Sequence, residues 1–335
     1  MAKNIDDLMK HLRNKHNISI SGSSQKRELR NIGYFHGYKG YRFIKNNPAR
    51  ISFTNFDEIL TFNEFDIKLK SIFYPHVMFL ETAIKNYVLE EIIAHSSSSD
   101  IDNVIKSCLT HYKSLAVNSK GYKDELHKML NTKNIINSTV ARDYKKNKAV
   151  ITHFLHSYKP IPIWAIFEII SMGELGSFVH SLDIDIKRKI SSSWSFNQSL
   201  DTNGLLIEKI IYCLKDLRNA IAHNDVIFDV RFQSSGIDKI IGQNIQRDGN
   251  ISNVDFKSIF DYFILVIFIL KKLDVSKIKI KELVNTFEKN VDEFKSKIAI
   301  NYFFSIFGTN YNNKLSSLKT YIQQENYWRF RYYGI

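Results

Sequence analysis

Three polar residues near the end of one predicted helix have the types and spacing needed to act on a phosphate diester. Arg218 and Asn219 are adjacent, and His223 follows four residues after the asparagine, in the segment LRNAIAHND. Histidine titrates near neutral pH and can serve as a general acid or base. Arginine presents a fixed fork of donors that matches phosphate oxygens. These residue types suit phosphate chemistry. Cutting RNA without a metal would need a base to take the 2′-OH proton, an acid to protonate the leaving 5′-oxygen, and a cation to stabilise the charge on phosphorus.

The helix predicted over 205–223 has an apolar face and a polar face. At about 100° per residue, one stripe faces the core and comprises Ile207, Ile211, Leu214, Leu217 and Ile221. Asn219 and His223 are i, i+4 neighbours that point away from the core, and Arg218 lies at the boundary. The same polar face carries Glu208, Tyr212, Lys215 and Asp216. Of these, Tyr212 and Asp216 are candidate supporting residues.

The sequence shows only one R-x4-H motif on a suitable helix, and therefore only one histidine in the candidate site. One histidine serves poorly as acid and base together, so two copies facing each other would be a natural solution. The other interpretation is an ordinary solvated helix end. Arg and His near a helix C-terminus interact favourably with the helix dipole, and Asn224 could cap the helix.

Composition favours an all-α protein with a polyanionic partner. Only 4 Pro and 13 Gly occur in 335 residues, too few turn residues for a many-stranded sandwich or barrel. The net charge of +13 favours nucleic acid as partner, although basic drift in an AT-rich genome would supply part of the excess. Two cysteines make neither a disulfide framework nor a zinc site. The apolar run Tyr262–Leu270 predicts a buried helix, because it is too short to span a bilayer. Since a secretory signal is also missing, we expect a cytoplasmic protein without membrane contact.

The chain is predicted to have three consecutive parts. These are an N-terminal helical and Tyr-rich segment over 1–55, a helical core over 56–228 with an insertion around 101–150, and a C-terminal helical extension over 229–335. Pro75 is expected to kink or divide the helix that starts at Phe56. Pro162 is expected to start one helix ending near residue 182, with Trp164 in the core and Glu168 partly buried. Residues 229–253 are predicted to form a loop.

Basic residues in two regions are candidate RNA contacts. Lys39 and Arg42 lie in a segment that interleaves aromatics with cations, as base-stacking surfaces do. The polar region 101–150 carries a second basic stretch, which comprises Arg142, Lys145, Lys146 and Lys148. The alternative for the Tyr-rich segment is a loop that packs its tyrosines on the bundle. For the aromatic, Arg-rich tail after residue 321, packing against the bundle or a second subunit stands beside RNA contact.

Three blocks of the sequence resemble a known group of proteins. The segment LRNAIAHND resembles the R-x(4–6)-H signature of HEPN-superfamily ribonucleases. The region Leu29–Ile44, continued by Phe56–Ile92, and the block Pro162–Leu175 resemble the Abi family of bacterial phage-defence proteins, of the AbiD and AbiF type. The latter block is similar to the signature P-x-W-x-x-x-E-x-x-S-x-G-x-L. Where the family shows D-R-x-L-R, this chain has DIKLK over 66–70, so the arginines are absent or replaced by lysine.

The resemblance implies an all-helical HEPN fold and an endoribonuclease that needs no metal and leaves a 2′,3′-cyclic phosphate and a 5′-OH. It implies Arg218, Asn219 and His223 as catalytic residues, and a site shared by two HEPN units, which a homodimer would supply. Glu81 would orient Arg218 or His223, or would instead anchor a buried polar network. No metal or small cofactor is expected.

Some AbiF-type relatives are linked to a neighbouring structured non-coding RNA. A bound RNA cofactor or inhibitor is therefore consistent with the resemblance. Two other functions stay open beside cleavage. One is a non-catalytic scaffold that binds a structured RNA, and the other is an interaction protein whose polar helix face is only a dimer contact.

Overall fold

The protein is built mainly from α-helices. The structure, a computed structural model, describes residues 3–45, 47–233 and 236–324, which contain fifteen α-helices. They are α1 (Ile5–His16), α2 (Gly22–Ile32), α3 (Phe56–Ser96), α4 (Ile101–Cys108), α5 (Lys120–Lys145), α6 (Ala149–His156), α7 (Ile163–Ile169), α8 (Met172–Ser181), α9 (Ile184–Ser193), α10 (Leu206–Ala222), α11 (Lys239–Gly249), α12 (Ile259–Lys272), α13 (Lys277–Lys297), α14 (Ile300–Phe307) and α15 (Tyr311–Gln323). A π-helical turn at Gly33–Lys39 follows α2, and a 3₁₀ turn at His111–Ser114 follows α4. In these ranges the strands are β1 (Phe43–Ile44) and β2 (Asn47–Arg50), one short antiparallel pair, and the predicted all-α fold is confirmed.

The chain forms two compact units. Unit 1 comprises Met1–Val77, Asp216–Gly236 and Ile245–Ile335, and unit 2 comprises Met78–Lys215 and Ile237–Asn244. These two units alternate along the chain, whereas the three parts predicted from the sequence are consecutive. The division into three parts stays a prediction. The tail from residue 325 onward lies outside the described residues, so the two interpretations offered for it stay open.

The core of unit 1 is organised around α12. This helix is buried from Ile259 to Lys271, as predicted for its apolar run. The Phe263 ring stacks on Phe287 of α13 with 3.9 Å between the ring centroids. Within the described ranges, every helix falls short of the length or the apolar character needed to cross a membrane.

The helix α3 continues through Pro75 instead of being divided there. Proline removes one backbone hydrogen bond and crowds the preceding turn. However, Phe73 and Val77 on either side are buried at 1 % exposure, so tertiary packing holds the helical path through the proline. Of the two expected effects of Pro75, division of the helix is wrong, and α3 extends over 41 residues. Asp100 caps the next helix, α4, because its side chain accepts a hydrogen bond from the backbone N–H of Asn103.

The region after Pro162 forms two helices where one was predicted. Ser171 accepts from the N–H of Glu174, and the Glu174 carboxylate accepts from the N–H of Ser171. This capping box satisfies the free donors of α8 and starts a new helix. The expected core position of Trp164 is also wrong: its side chain is 43 % exposed, because the buried face of the short α7 is filled by its aliphatic and Phe neighbours. Glu168 is exposed as well.

The predicted loop over 229–253 contains the helix α11. Its apolar residues Ile241 and Ile245 are i, i+4 neighbours and both are buried. Gly236, Gly242 and Gly249, with a weak periodicity, favour a loop in the sequence, but burial of one apolar face outweighs the low helix propensity of the two glycines inside α11.

Candidate active site

The helix α10 ends at the residues of the predicted motif. Its core stripe is confirmed: Ile207, Ile211, Leu214 and Leu217 are fully buried, and Ile221 is half-buried. The helix ends at Ala222, and the N–H of His223 still donates to the carbonyl of Asn219 at 2.9 Å. Asn224 then adopts a left-handed φ of 57°, which asparagine tolerates better than most residues. His223 is therefore presented on the exposed end of a buried helix.

Two residues of α3 hold the chain that follows His223. The buried carboxylate of Asp66 accepts hydrogen bonds from the backbone N–H groups of Ile227 and Phe228 at 2.8 and 2.9 Å. Lys70, one turn later, donates to the Asp66 carboxylate and to the side-chain carbonyl of Asn224, both at 2.8 Å. We call these five residues the Asp66 clamp. It fixes the backbone from the residue after His223 to Phe228.

The Tyr-rich segment joins the Asp66 clamp through the side chain of Tyr41. Its hydroxyl donates to the Asp66 carboxylate at 3.3 Å and accepts from the side-chain amide of Asn63 at 3.2 Å. Burial, reinforced by the nearby charge of Asp66, raises the pKa of Tyr41 well above its ordinary value, so this hydroxyl stays protonated and acts as a donor. One carboxylate thus links α3, the Tyr-rich segment and the chain after α10.

The sequence interpretation missed the Asp66 clamp, although it contained a signal. Asp66 and Lys70 are spaced i, i+4 in a strongly apolar stretch, where an acid–base pair is typically buried and structural. Asp66 and Lys70 also occupy the positions of the Asp and of the second Arg in the D-R-x-L-R pattern. In this chain, a lysine in the arginine position contacts the loop that carries the motif.

The two remaining residues of the motif lie within the last turns of α10. A terminal nitrogen of the Arg218 guanidinium donates to the Asn219 side-chain carbonyl at 3.3 Å. Both side chains are half-buried, while His223 is exposed. Asn219 and Arg218 precede His223 by four and five residues, which is slightly more than one turn of the helix.

The predicted supporting residues have separate surroundings. Asp216 is half-buried in unit 1. In unit 2, Glu81 is buried and its carboxylate lies 3.3 Å from the Lys85 ammonium group. Tyr212 packs against α8, where a side chain at Gly176 would collide with the tyrosine ring. These supporting roles stay predictions.

Glu208 was expected on the exposed polar face and is instead buried. Its carboxylate lies 3.1 Å from the ring of His180 on α8 and 3.6 Å from the Lys209 ammonium group. Burial works to raise the pKa of Glu208, but the hydrogen bond and charge of His180 and the nearby lysines outweigh it, so the pKa is lowered. The first half of the polar face is thus covered by α8.

The candidate RNA contacts differ in how they are engaged. The Lys39 ammonium and the Arg42 guanidinium lie over the rings of Tyr34 and Tyr38, at 5.7 and 5.5 Å. Arg142 is tied to the carboxylates of Glu174 and Asp143 and to the carbonyl of Ile169. The other cations of that stretch are exposed, and these are Lys145, Lys146 and Lys148.

A cavity opens beside the chain that follows α10. Its volume is about 370 Å³, and its walls include Asp225, Val226, Phe35 and His36. The Phe35 ring is 79 % exposed, which is unusual for a large apolar side chain. Among the described residues, no group of three or more His, Cys, Asp or Glu side chains has the arrangement of a metal site.

These features define a class of protein: an all-α chain in which an R-x4-H motif lies at the end of a buried helix, with its histidine exposed. The profile of the Abi-like protein family matches residues 27–229, more than half of the chain, so the chain belongs to this family. In general terms, membership connects it with abortive infection, a form of phage defence. Comparison with curated proteins and with solved structures found no match.

Proposed function

We propose that this protein is an endoribonuclease of phage defence that cleaves RNA without a metal at the end of α10. The observation that carries the proposal is the placement of the motif. His223 is exposed at the helix end, Arg218 and Asn219 precede it by five and four residues, and the Asp66 clamp holds the following chain. A rigid helix with a fixed exit is a good support for catalytic side chains.

In this proposal, the 2′-oxygen of the substrate attacks the adjacent phosphorus and the bond to the 5′-oxygen breaks. The 2′-OH proton passes to a neutral imidazole of His223, acting as general base. Arg218 stabilises the additional charge on the phosphate oxygens in the transition state. Asn219 positions the phosphate or the guanidinium, to which its carbonyl is already hydrogen-bonded. The products are a 2′,3′-cyclic phosphate and a 5′-OH.

The leaving 5′-oxygen needs a proton, which a protonated second histidine would supply. We propose that this histidine is His223 of a second copy of the chain, so that a homodimer completes the site. The exposed position of His223 supports this arrangement, because a second copy can approach the helix end. Light scattering of the protein with RNA should give the mass of a dimer; a monomer under cleaving conditions would argue against a shared site.

The test of cleavage is incubation of end-labelled RNA with purified protein in excess EDTA. The wild type should produce fragments with cyclic phosphate ends, and His223→Ala should not. His95→Ala is the matched control, because His95 is exposed at the end of α3. Equal cleavage by His223→Ala and the wild type would contradict the assignment.

The alternative function is a scaffold that binds a structured RNA without cutting it. The exposed lysines after α5 and the cations over tyrosine rings favour RNA binding whether or not cleavage occurs. Nucleic acid that copurifies with the protein, together with no cleavage by the wild type in EDTA or in Mg²⁺, would favour the scaffold.

A further inference from the structure

A basic groove in unit 1 is built from three segments that are distant in the sequence. Its cationic side chains are Lys15 at the end of α1, Arg42 before β1 and Arg50 at the end of β2, and His16 lines the groove next to Lys15. We call the groove lined by these four residues the basic groove. Its volume is about 410 Å³, and none of the described residues that line it is an Asp or a Glu.

The backbone around the basic groove is fixed by hydrogen bonds between its segments. The N–H of Ile51 donates to the carbonyl of Arg42 at 2.8 Å, and the N–H of Ser19 donates to the carbonyl of Thr54 at 2.8 Å. Asn17 adopts a left-handed φ of 54°, which turns the chain out of α1. The backbone segments that carry the residues of the basic groove are therefore tied to one another by the fold.

Among the residues that the structure describes, no carboxylate pairs with the cations of the basic groove. Within the described ranges, Lys15, Arg42 and Arg50 form no ion pair, whereas Lys68 in the same unit pairs with Glu293 at 2.6 Å. The pKa of His16 is lowered by burial and by neighbouring titratable groups, which are His11, Arg42, Lys39 and Arg50. Clustered like charges repel one another, so an anion that binds among them gains from all of them.

The wall of the basic groove is partly aromatic. The Arg42 guanidinium lies 5.5 Å from the centre of the Tyr38 ring, and the His16 ring lies 4.9 Å from the same ring. A guanidinium plane held on an aromatic ring is a surface on which a base can stack. The volume leaves room for more than a bare phosphate.

We infer that the basic groove binds a phosphate group of a nucleotide, either within an RNA strand or as a free nucleotide. The identity of the strand as RNA rests on the proposed function, but the groove does not depend on Arg218 or His223. In the RNA case, it is a contact that holds the substrate strand in addition to the cleavage site.

The test measures binding in a His223→Ala background, where RNA stays intact. The probes are a short single-stranded RNA without terminal phosphates, adenosine 5′-monophosphate, and inorganic phosphate. Arg42→Gln and Arg50→Gln remove groove cations, and Arg27→Gln is the matched control, because Arg27 is exposed on α2 and does not line the groove. Each groove variant should weaken binding at least about tenfold, and the control should bind like the parent.

The probes identify the source of the phosphate. Binding of the RNA alone assigns the groove to a strand, and binding of the mononucleotide assigns it to a free nucleotide. Equal binding by the groove variants and Arg27→Gln would overturn the inference, as would equal affinity for inorganic phosphate and the nucleotide probes. Loss of RNA binding in groove variants, with no cleavage by wild type, would contradict the proposed function and leave the groove intact as a binding site.

A second measurement, the NMR titration of His16, responds to occupancy directly. The charged or titratable groups around this ring are His11, Lys15, Tyr34, Tyr38, Lys39, Arg42 and Arg50. A bound phosphodiester should raise the pKa of His16, because a negative charge favours the protonated ring. An unchanged pKa with saturating RNA would place the strand elsewhere. Melting temperatures equal to that of the parent show that the variants are folded.

Discussion

Replacing Asp66 by alanine should release the chain that follows His223. The substitution leaves the N–H groups of Ile227 and Phe228 without an acceptor, and it leaves the buried Lys70 ammonium without its carboxylate. Each unsatisfied buried donor costs about 1–3 kcal/mol. Removing one partner of a buried ion pair costs about 3–5 kcal/mol, and these effects share groups and do not add. We expect the free energy of unfolding to fall by at least about 3 kcal/mol.

The assay combines urea unfolding with hydrogen exchange detected by mass spectrometry. The unfolding midpoint measures the loss of overall stability. Hydrogen exchange in a peptide spanning 224–230 measures the local release of the backbone N–H groups of Ile227 and Phe228. Glu64→Ala is the matched control, since Glu64 is an exposed carboxylate on the same helix and its removal should change stability by less than about 0.5 kcal/mol. Asp66→Asn combined with Lys70→Met removes both charges and keeps an oxygen acceptor, so part of the loss should be recovered.

The reasoning would be refuted if Asp66→Ala gave the same midpoint as Glu64→Ala and the same exchange over 224–230 as the wild type. That result would mean that the backbone after His223 is held by packing alone. If instead exchange increased while cleavage persisted, the Asp66 clamp would be structural and not needed to position the site.

Other expected outcomes concern the core, the basic surface and the buried lysine of α12. Leu214→Ala should lower the free energy of unfolding by about 2–5 kcal/mol, whereas His223→Ala should leave the melting temperature almost unchanged; equal effects would contradict the two-faced helix. RNA affinity should fall as salt rises, and Lys146→Glu should weaken binding and reduce the salt dependence, so an affinity independent of salt would argue against phosphate contacts. Burial lowers the pKa of Lys271 to about 8, so the unfolded chain binds more protons between about pH 8 and 10.5. The stability of the wild type relative to Lys271→Met should therefore rise with pH across that interval, and a constant difference would contradict the shift.

The end of α10 was predictable because its determinants are local. Apolar spacing placed Leu214 and Leu217 in the core and His223 outside it, and the structure agrees. Glu208 could not be placed in this way, since a single helical wheel does not show that α8 covers the first half of the polar face. The large apolar side chain of Trp164 suggested a core position, but this prediction was wrong. The short helix α7 buries only one face, and other side chains already fill that face.

Local sequence patterns could not predict the Asp66 clamp, because its partners are far apart in the sequence. Its hydrogen bonds join residues 161 and 162 positions apart, and no periodicity in the sequence relates them. The basic groove has the same character, since its cations come from α1, β2 and the segment between α2 and β1. Sequence spacing identified Arg42 as a candidate, but only the fold brings Lys15 and Arg50 beside it.

The long sequence separation within the Asp66 clamp also sets when the motif can become ordered during translation. Asp66 leaves the ribosome well before Ile227 is added, and at about 5–20 residues per second the interval is roughly 8–30 s. During that time, the carboxylate can pair with Lys70 on the same helix but has no backbone N–H groups to accept from. The chain around His223 therefore acquires its final shape only after about two thirds of the protein has been made, so an unfinished chain that ends before residue 227 would carry no fixed motif.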